Sequence, residues 1–410
     1  MRYERKSPMT TMLDTAVYTP RASFLPFSPP DLSEDEIAAV VDTLRSGWIS
    51  AGPKTKQFEN EFRAYIGAEA ALTLNSCTAG LHLALVALGI GANAGGDASD
   101  EVITTTMTFC SSVNVIEHVR ATPVLVDIDP ETLNLDPAAV AAAITPRTKA
   151  IIAVHIAGQP AELAPLQALA REHGLSIIED AAHAVPARYE GQMVGAISDL
   201  TAFSFYATKN LTTGEGGMLT GKAEYVEKAR LYSSHGMNRD AWKRYSASGS
   251  WFYEVVAPGF KYNMNDMQAA LGLTQLARLE SMQARRYEVA ARYNAAFAGV
   301  EALQTPIERA NVQHAWHLYI LRLNLDALTI DRAGFIDALK ARNIGTSVHF
   351  IPVHLHPFYR DKYGYAPESF PTAYGEFQRT VSLPLRSNLT ESEIDDVIAA
   401  VLDVATVYGR

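Results

Sequence analysis

The chain has 410 residues, 48% of them hydrophobic, so it is long enough for more than one domain and apolar enough to fill large cores. A formal charge of −10 repels a nucleic-acid backbone and no Lys/Arg-dense stretch offsets it locally, so no nucleic-acid partner is expected. Cys77 and Cys110 are the only cysteines, which excludes a disulfide framework and a CxxC metal site and fits a reducing, cytoplasmic setting. No apolar run is long enough for a membrane span, and the N-terminus lacks the apolar core of an export signal.

Residues 1–30, rich in Pro and polar residues, read as an irregular arm lying on the rest of the protein. Ser33 followed by Glu36 spells a helix start, and folded structure is expected from there. From about 70 to 220, the short apolar runs AALTL, EVITTT, PVLVDI, AIIAVHI, SIIED, TAFSFY and GGMLT mostly alternate with helical stretches. Such strands predict an α/β fold, with a mostly parallel sheet covered by helices on both faces. This large domain spans 31–265, and residues 266–410 supply a long bridging helix (about 266 to 298) and a smaller C-terminal α+β domain. In the latter, HLYILRLN reads as a strand, DRAGFIDALKARN as a helix and TESEIDDVIAAVLDVA as the closing helix.

Three strand ends carry the chemistry: NSCTAG at 75–80, ED at 179–180 and SFYATKN at 204–210. In open α/β sheets, ligands bind outside the carboxyl ends of strands, so these segments can converge. The run from Ser76 to Gly80 lies where a strand hands over to a helix. Its N–H groups and hydroxyls suit a phosphate dianion, or Ser76 or Thr78 simply caps the helix. Asp180 ends an apolar strand, where a carboxylate needs a positive or hydrogen-bonding partner. A protonated pyridine nitrogen is one such partner; a helix cap or a metal ligand is the alternative. Lys209 precedes GEGG, whose glycines permit a tight turn. A lysine in an enclosed site loses its proton and forms a Schiff base, whereas a lone lysine is a solvated surface charge. Together the three point to pyridoxal 5'-phosphate (PLP), with Lys209 as the imine lysine and Asp180 keeping the ring nitrogen protonated.

From about residue 26 to 402 the chain resembles the sugar-nucleotide aminotransferases of the DegT/DnrJ/StrS group. The resemblance is carried by SGWISAGPKTKQFENEF, NSCTAGLHLAL, TMTFCSSVNVI, DIDPETLNLD, EDAAHA, FSFYATKNLTTGEGG, GFKYNMNDMQAALGLTQL and SLPL. It implies a fold type I PLP-dependent transferase in which Lys209 is both tether and general acid/base. It further implies that Thr78, Ser204 and the backbone around Cys77 and Ala79 bind the phosphate, that Phe109 stacks on the ring, and that His183 lies near the ring hydroxyl. Taken alone, Phe109 reads equally as a core residue and His183 as a structural one. Asn263 matches an asparagine that reaches the neighbouring subunit's cofactor, implying a homodimer; otherwise it is a turn residue before the long helix.

The resemblance also implies an amino-acid donor, usually glutamate, and a keto-sugar acceptor on a nucleoside diphosphate. Lys209 stands where related dehydratases have His, which favours transamination. His183, GWISAGP and GFKYN favour a C4 ketone, with C3 the runner-up. Trp48 and Ser50, after Gly47, are expected to approach the substrate, and His349 or His354 to close over it. Arg239 is a candidate for the donor carboxylate or the diphosphate, against a solvated loop charge. Three rivals remain. The segment GIGANAGG at 89–96 echoes a dinucleotide loop but follows a helix instead of a strand. His349, His354 and His356 lie close in sequence without a recognised ligand spacing, so no metal is expected. A non-catalytic PLP-binding regulator has no need of a Schiff-base lysine.

Overall fold

The computed structural model describes residues 19–238 and 252–410. Helix α1 (Glu34–Ser46) begins at Ser33, whose Oγ accepts the Asp35 N–H while the Glu36 carboxylate accepts the Ser33 N–H at 2.6 Å. Glu36 is fully buried, where Arg278 (3.0 Å) and the Gln275 amide (2.9 Å) satisfy its charge. Helix α2 (Pro53–Ile66) follows, with proline at its first position, where a missing N–H costs nothing.

The central layer then forms in chain order. Strand β1 (Ala70–Leu74) leads to α3 (Cys77–Leu88), β2 (Glu101–Thr105) to α4 (Ser111–His118), and β3 (Thr122–Val126) to α5 (Pro137–Ala143). Next, β4 (Thr148–Val154) leads to α6 (Leu163–His173) and β5 (Ser176–Asp180). Two short strands, β6 (Arg188–Tyr189) and β7 (Gln192–Met193), precede β8 (Leu200–Ser204), β9 (Gly217–Gly221) and α7 (Ala223–Ser233). The seven-stranded sheet has the order β1-β9-β8-β5-β4-β2-β3. Its pairings are parallel except those of β9, which runs against both β1 and β8. The fold is thus the α/β, mostly parallel architecture that the apolar runs predict, and nearly every residue of these strands is buried, as a sheet covered on both faces requires.

Helix α8 (Asp266–Phe297), 32 residues long, runs from this layer into the C-terminal elements. These are β10 (Leu303–Gln304), β11 (Val312–Gln313), β12 (Tyr319–Leu323), α9 (Arg332–Ala341), α10 (Pro357–Tyr363), α11 (Pro371–Arg379), β13 (Thr380–Leu383) and α12 (Glu391–Val407). An antiparallel sheet β10-β12-β13 packs with the end of α8 and with α12 around Tyr293, Phe297, Tyr319 and Val401, while β11 joins β6 and β7. The N-terminal segment also belongs to this core: Leu25 is 1% exposed and bridges to Ile344.

Near its start α8 presses Gly272 against the ring of buried Phe58 of α2, and a Cβ there would lie 2.6 Å from the ring. Gly272→Ala is therefore expected to lower the thermal midpoint. An overpacking cost of about 1–3 kcal/mol exceeds a helix-propensity gain of about 1 kcal/mol; an unchanged or raised midpoint contradicts this packing.

Candidate active site

The carboxyl ends of β1, β5 and β8 open onto a cavity of about 330 Å3. Ser76, Cys77 and Thr78 reach it from the start of α3, Asp180 from the end of β5, and Ser204 and Lys209 from the end of β8 and the turn after it. Asp180 and Ala202 are partners in the β5–β8 ladder, so hydrogen bonding within the sheet sets the carboxylate beside the lysine-bearing segment. The β9 return begins at Gly217, where a Cβ would lie 2.4 Å from the Ser76 carbonyl carbon. Only glycine lets the β9 backbone pass so close to the start of α3.

Asp180 is 4% exposed and well supplied with donors. Ser112 donates from Oγ to Oδ2 at 2.7 Å, Ala182 donates its N–H to Oδ1 at 3.1 Å, and the Cys77 thiol lies 3.8 Å from Oδ1. The Lys209 ammonium is held down to about 8 by desolvation, which the charge of Asp180 opposes. Burial and the Asp180 charge push the Cys77 thiol well above its usual range, so it stays protonated. The histidines around Lys209 are neutral for the same physical reason. Burial, then the lysine's charge, lowers His183 and His317 well below the usual value and His349 to about 4.

The residues present fit PLP. A partly desolvated amine can form an imine, and a buried carboxylate can pair with a ring N–H. The start of α3, with Thr78 and Ser204 at hand, offers N–H groups and hydroxyls to a phosphate. Ser76 is the helix cap, accepting the Ala79 N–H at 3.1 Å. Phe109 lines the cavity and is exposed to it, 5.9 Å from the Phe350 ring.

Other expected residues lie elsewhere. His354 does not line the cavity: it is fully buried, its Nδ1 2.6 Å from Thr106 Oγ1 and its Nε2 3.1 Å from the Pro367 carbonyl, so neither ring nitrogen is left for substrate. His349 does line it, with Nδ1 2.8 Å from Ser382 Oγ and its ring stacked 5.6 Å from Phe27. Among the described residues no group of three His, Cys, Asp or Glu is arranged for a metal ion. Trp48 is 55% exposed and Ser50 accepts the Asp266 N–H through its carbonyl; neither lines this cavity. Asn263 lines a second hollow, of about 230 Å3, with Lys56 and Arg230, and its Oδ1 is buried without a partner among the described residues. Arg239 lies outside the described residues.

Residues that the sequence reading did not single out complete the walls. From behind the walls Ser112, in the first turn of α4, braces Asp180, and its only local signal is a serine shortly after Phe109. His317, Phe350 and Phe27 arrive from the C-terminal part and the N-terminal segment. Their ring contacts (His183–His317 at 4.5 Å, His183–Phe350 at 5.7 Å) join positions too distant in sequence for a pattern to reveal.

The model of the DegT/DnrJ/EryC1/StrS aminotransferase family matches residues 30–402. The chain is 53% identical over 386 residues to the spore coat polysaccharide biosynthesis protein SpsC of Bacillus subtilis, covering 94% of this chain and 98% of SpsC. Spr1654 of Streptococcus pneumoniae in its pyridoxamine-phosphate (PMP) form superposes with a TM-score of 0.87 at 38% identity, covering 93% of this chain and 99% of that one. Its PLP form gives 0.85 at 37%. PseC of Helicobacter pylori, an aminotransferase involved in the biosynthesis of pseudoaminic acid, gives 0.85 at 28% identity, covering 94% of this chain and all of PseC (100%).

Only the neutral amine attacks an aldehyde, and the neutral fraction of Lys209 grows as pH rises through about 8. The cofactor-free protein is therefore expected to capture PLP faster with rising pH, about tenfold per pH unit well below the midpoint and levelling above it. Stopped-flow absorbance reads this, and a rate still climbing at the ordinary lysine value of about 10.4 contradicts it.

Proposed function

Because this chain belongs to the DegT/DnrJ/EryC1/StrS aminotransferase family and its cofactor is PLP, we propose that it carries an amino group from glutamate to the C4 ketone of a sugar on a nucleoside diphosphate. The observation that carries the reading is the meeting of Lys209, its ammonium lowered to about 8, with Asp180 in one cavity. Bound PLP supplies an electron sink for the electron pair left when a donor loses its α-proton. Lys209 Nζ tethers the group and then carries that proton, which an amine titrating near neutral pH can both accept and return. The Asp180 carboxylate, braced by Ser112 Oγ and the Ala182 N–H, holds a proton on the ring nitrogen. Thr78, Ser204 and the start of α3 hold the phosphate, and Phe109 lies on the ring.

A sugar acceptor is supported by the likeness to SpsC, a spore coat polysaccharide biosynthesis protein, and to PseC, an aminotransferase of pseudoaminic acid biosynthesis. The C4 preference rests on His183 and on the segments GWISAGP and GFKYN. On this reading residues 31–265 form the cofactor domain, 266–410 form the bridging helix and small domain, and the protein works in the cytoplasm. His349 is the small-domain residue that meets the substrate, since His354 has no free ring nitrogen. The enzyme is a homodimer in which Asn263 reaches the partner's cofactor phosphate. Support comes from the place of Asn263 in a hollow apart from its own subunit's cavity and from its Nδ2, the group able to donate to a phosphate, which among the described residues uses one N–H, toward the Met264 carbonyl at 3.1 Å, and keeps the other.

Two outcomes are expected. The PLP-loaded protein releases 2-oxoglutarate from glutamate and aminates UDP- or dTDP-linked 4-keto sugars, whereas Lys209→Ala does neither. Turnover of a 3-keto sugar alone overturns the C4 assignment, and no half-reaction with any amino acid leaves the regulator reading. Secondly, Lys209→Ala and Asn263→Ala subunits, each inactive alone, are expected to regain about a quarter of wild-type activity when randomly mixed, because half the dimers then carry one intact site. No recovery contradicts the shared site.

A further inference from the structure

We propose that Asn134 is a positioning residue: by clamping the turn at 155–161 it fixes which nitrogen of His183 carries the proton. Asn134 is 2% exposed and lies in DIDPETLNLD, a segment to which the reaction assigns no role. Its Oδ1 accepts the Ile156 N–H at 2.9 Å, and its Nδ2 donates to the carbonyls of Gln159 (3.0 Å) and Pro160 (3.3 Å). From the other side His155 Nδ1 accepts the Ala161 N–H at 3.0 Å, while His155 Nε2 pairs with buried Glu179 at 2.8 Å. Both ends of the turn are therefore held by side chains.

Between the clamps Ala157 is in the left-handed region, with φ 58°, a conformation that a residue with a Cβ keeps only when its surroundings impose it. The Ala157 carbonyl accepts the N–H groups of His317 (2.9 Å) and Leu318 (3.1 Å), just after Trp316, which is itself left-handed at φ 45°. In this conformation the Ala157 N–H meets His183 Nδ1 at 3.2 Å. An amide N–H only donates, so Nδ1 carries no proton, and neutral His183 keeps its proton on Nε2. Among the described residues no group bonds Nε2, and His183 lines the cavity. The groups facing the ring, Lys209, His349 and His317, either add positive charge when protonated or stay neutral, so none favours the imidazolium. His183 is thereby dedicated to donating one hydrogen bond into the cavity. The purpose of this arrangement rests on the PLP reading, but its test does not, because the tautomer is read in the cofactor-free protein.

Histidine-selective 15N NMR of the cofactor-free full-length protein reads the tautomer, with His183→Gln assigning the signal. Wild-type His183 is expected as the Nε2–H form, unchanged from about pH 6 to about 8.5. Asn134→Ala is expected to lose this signature: the two nitrogen shifts move toward each other, and the titration midpoint rises toward about 6.5. Should that variant not fold, Asn134→Asp, which keeps the acceptor but loses both donor bonds, is expected to show the same change in part. A wild-type His183 protonated on Nδ1 overturns the proposal. So does an unchanged His183 in whichever variant folds.

Discussion

Holding an amine partly out of water, opposite a buried and hydrogen-bonded carboxylate, is the constraint around which this molecule is built. An exposed lysine is protonated at neutral pH and inert as a nucleophile; desolvation at the end of β8 brings Lys209 down to about 8. That environment would also disfavour the charge of Asp180, and the donors from Ser112 and Ala182 offset the cost. The sheet supplies the registration. β5 and β8 are parallel neighbours with Asp180 and Ala202 paired, so the carboxylate and the chain leading to Lys209 leave the sheet side by side. The antiparallel return of β9 at Gly217 then brings the start of α3 against the same opening.

The C-terminal elements close this opening with neutral groups. Charged histidines beside Lys209 would repel a protonated amine, but burial keeps His183, His317 and His349 neutral, so the wall can donate and accept hydrogen bonds without adding charge. Phe27 and Phe350 stack on His349 and His183 and give these rings fixed apolar neighbours. One cavity thus draws on the N-terminal segment, the central sheet and the C-terminal part, and α8 ties the last two together.

Signals that are local in sequence were legible, and those created by tertiary contact were not. Apolar runs announced the strands, and Ser33 with Glu36 announced the first helix cap. The strand ends at Ser76, Asp180 and Ser204, with Lys209 just after the last, stood out because polar groups followed apolar runs, and the structure gathers them in one cavity. The resemblance to a known family was needed to pick out Phe109, His183 and Asn263, none of which has a distinctive local pattern. The histidines of HFIPVHLHPFYR looked alike in sequence, yet His349 faces the cavity while His354 is fully bonded to Thr106 and Pro367. Nothing local separates them, because the difference depends on which elements pack over each ring. Ser112 and His317 escaped for the same reason: their hydrogen-bond partners, Asp180 and Asn210, lie 68 and 107 residues away. The order of the sheet, with β9 inserted between β1 and β8, is likewise set by long-range pairing that short apolar runs do not encode.

The most direct test of the central claim, that Lys209 binds PLP covalently in this cavity, is a visible absorbance spectrum of the PLP-incubated protein beside Lys209→Ala, recorded again after borohydride reduction. The account predicts a visible band in wild type that reduction fixes as a label on the peptide containing Lys209, with no such band or label in the variant. A wild-type protein that shows no band after incubation, or a label on a different lysine, would contradict it.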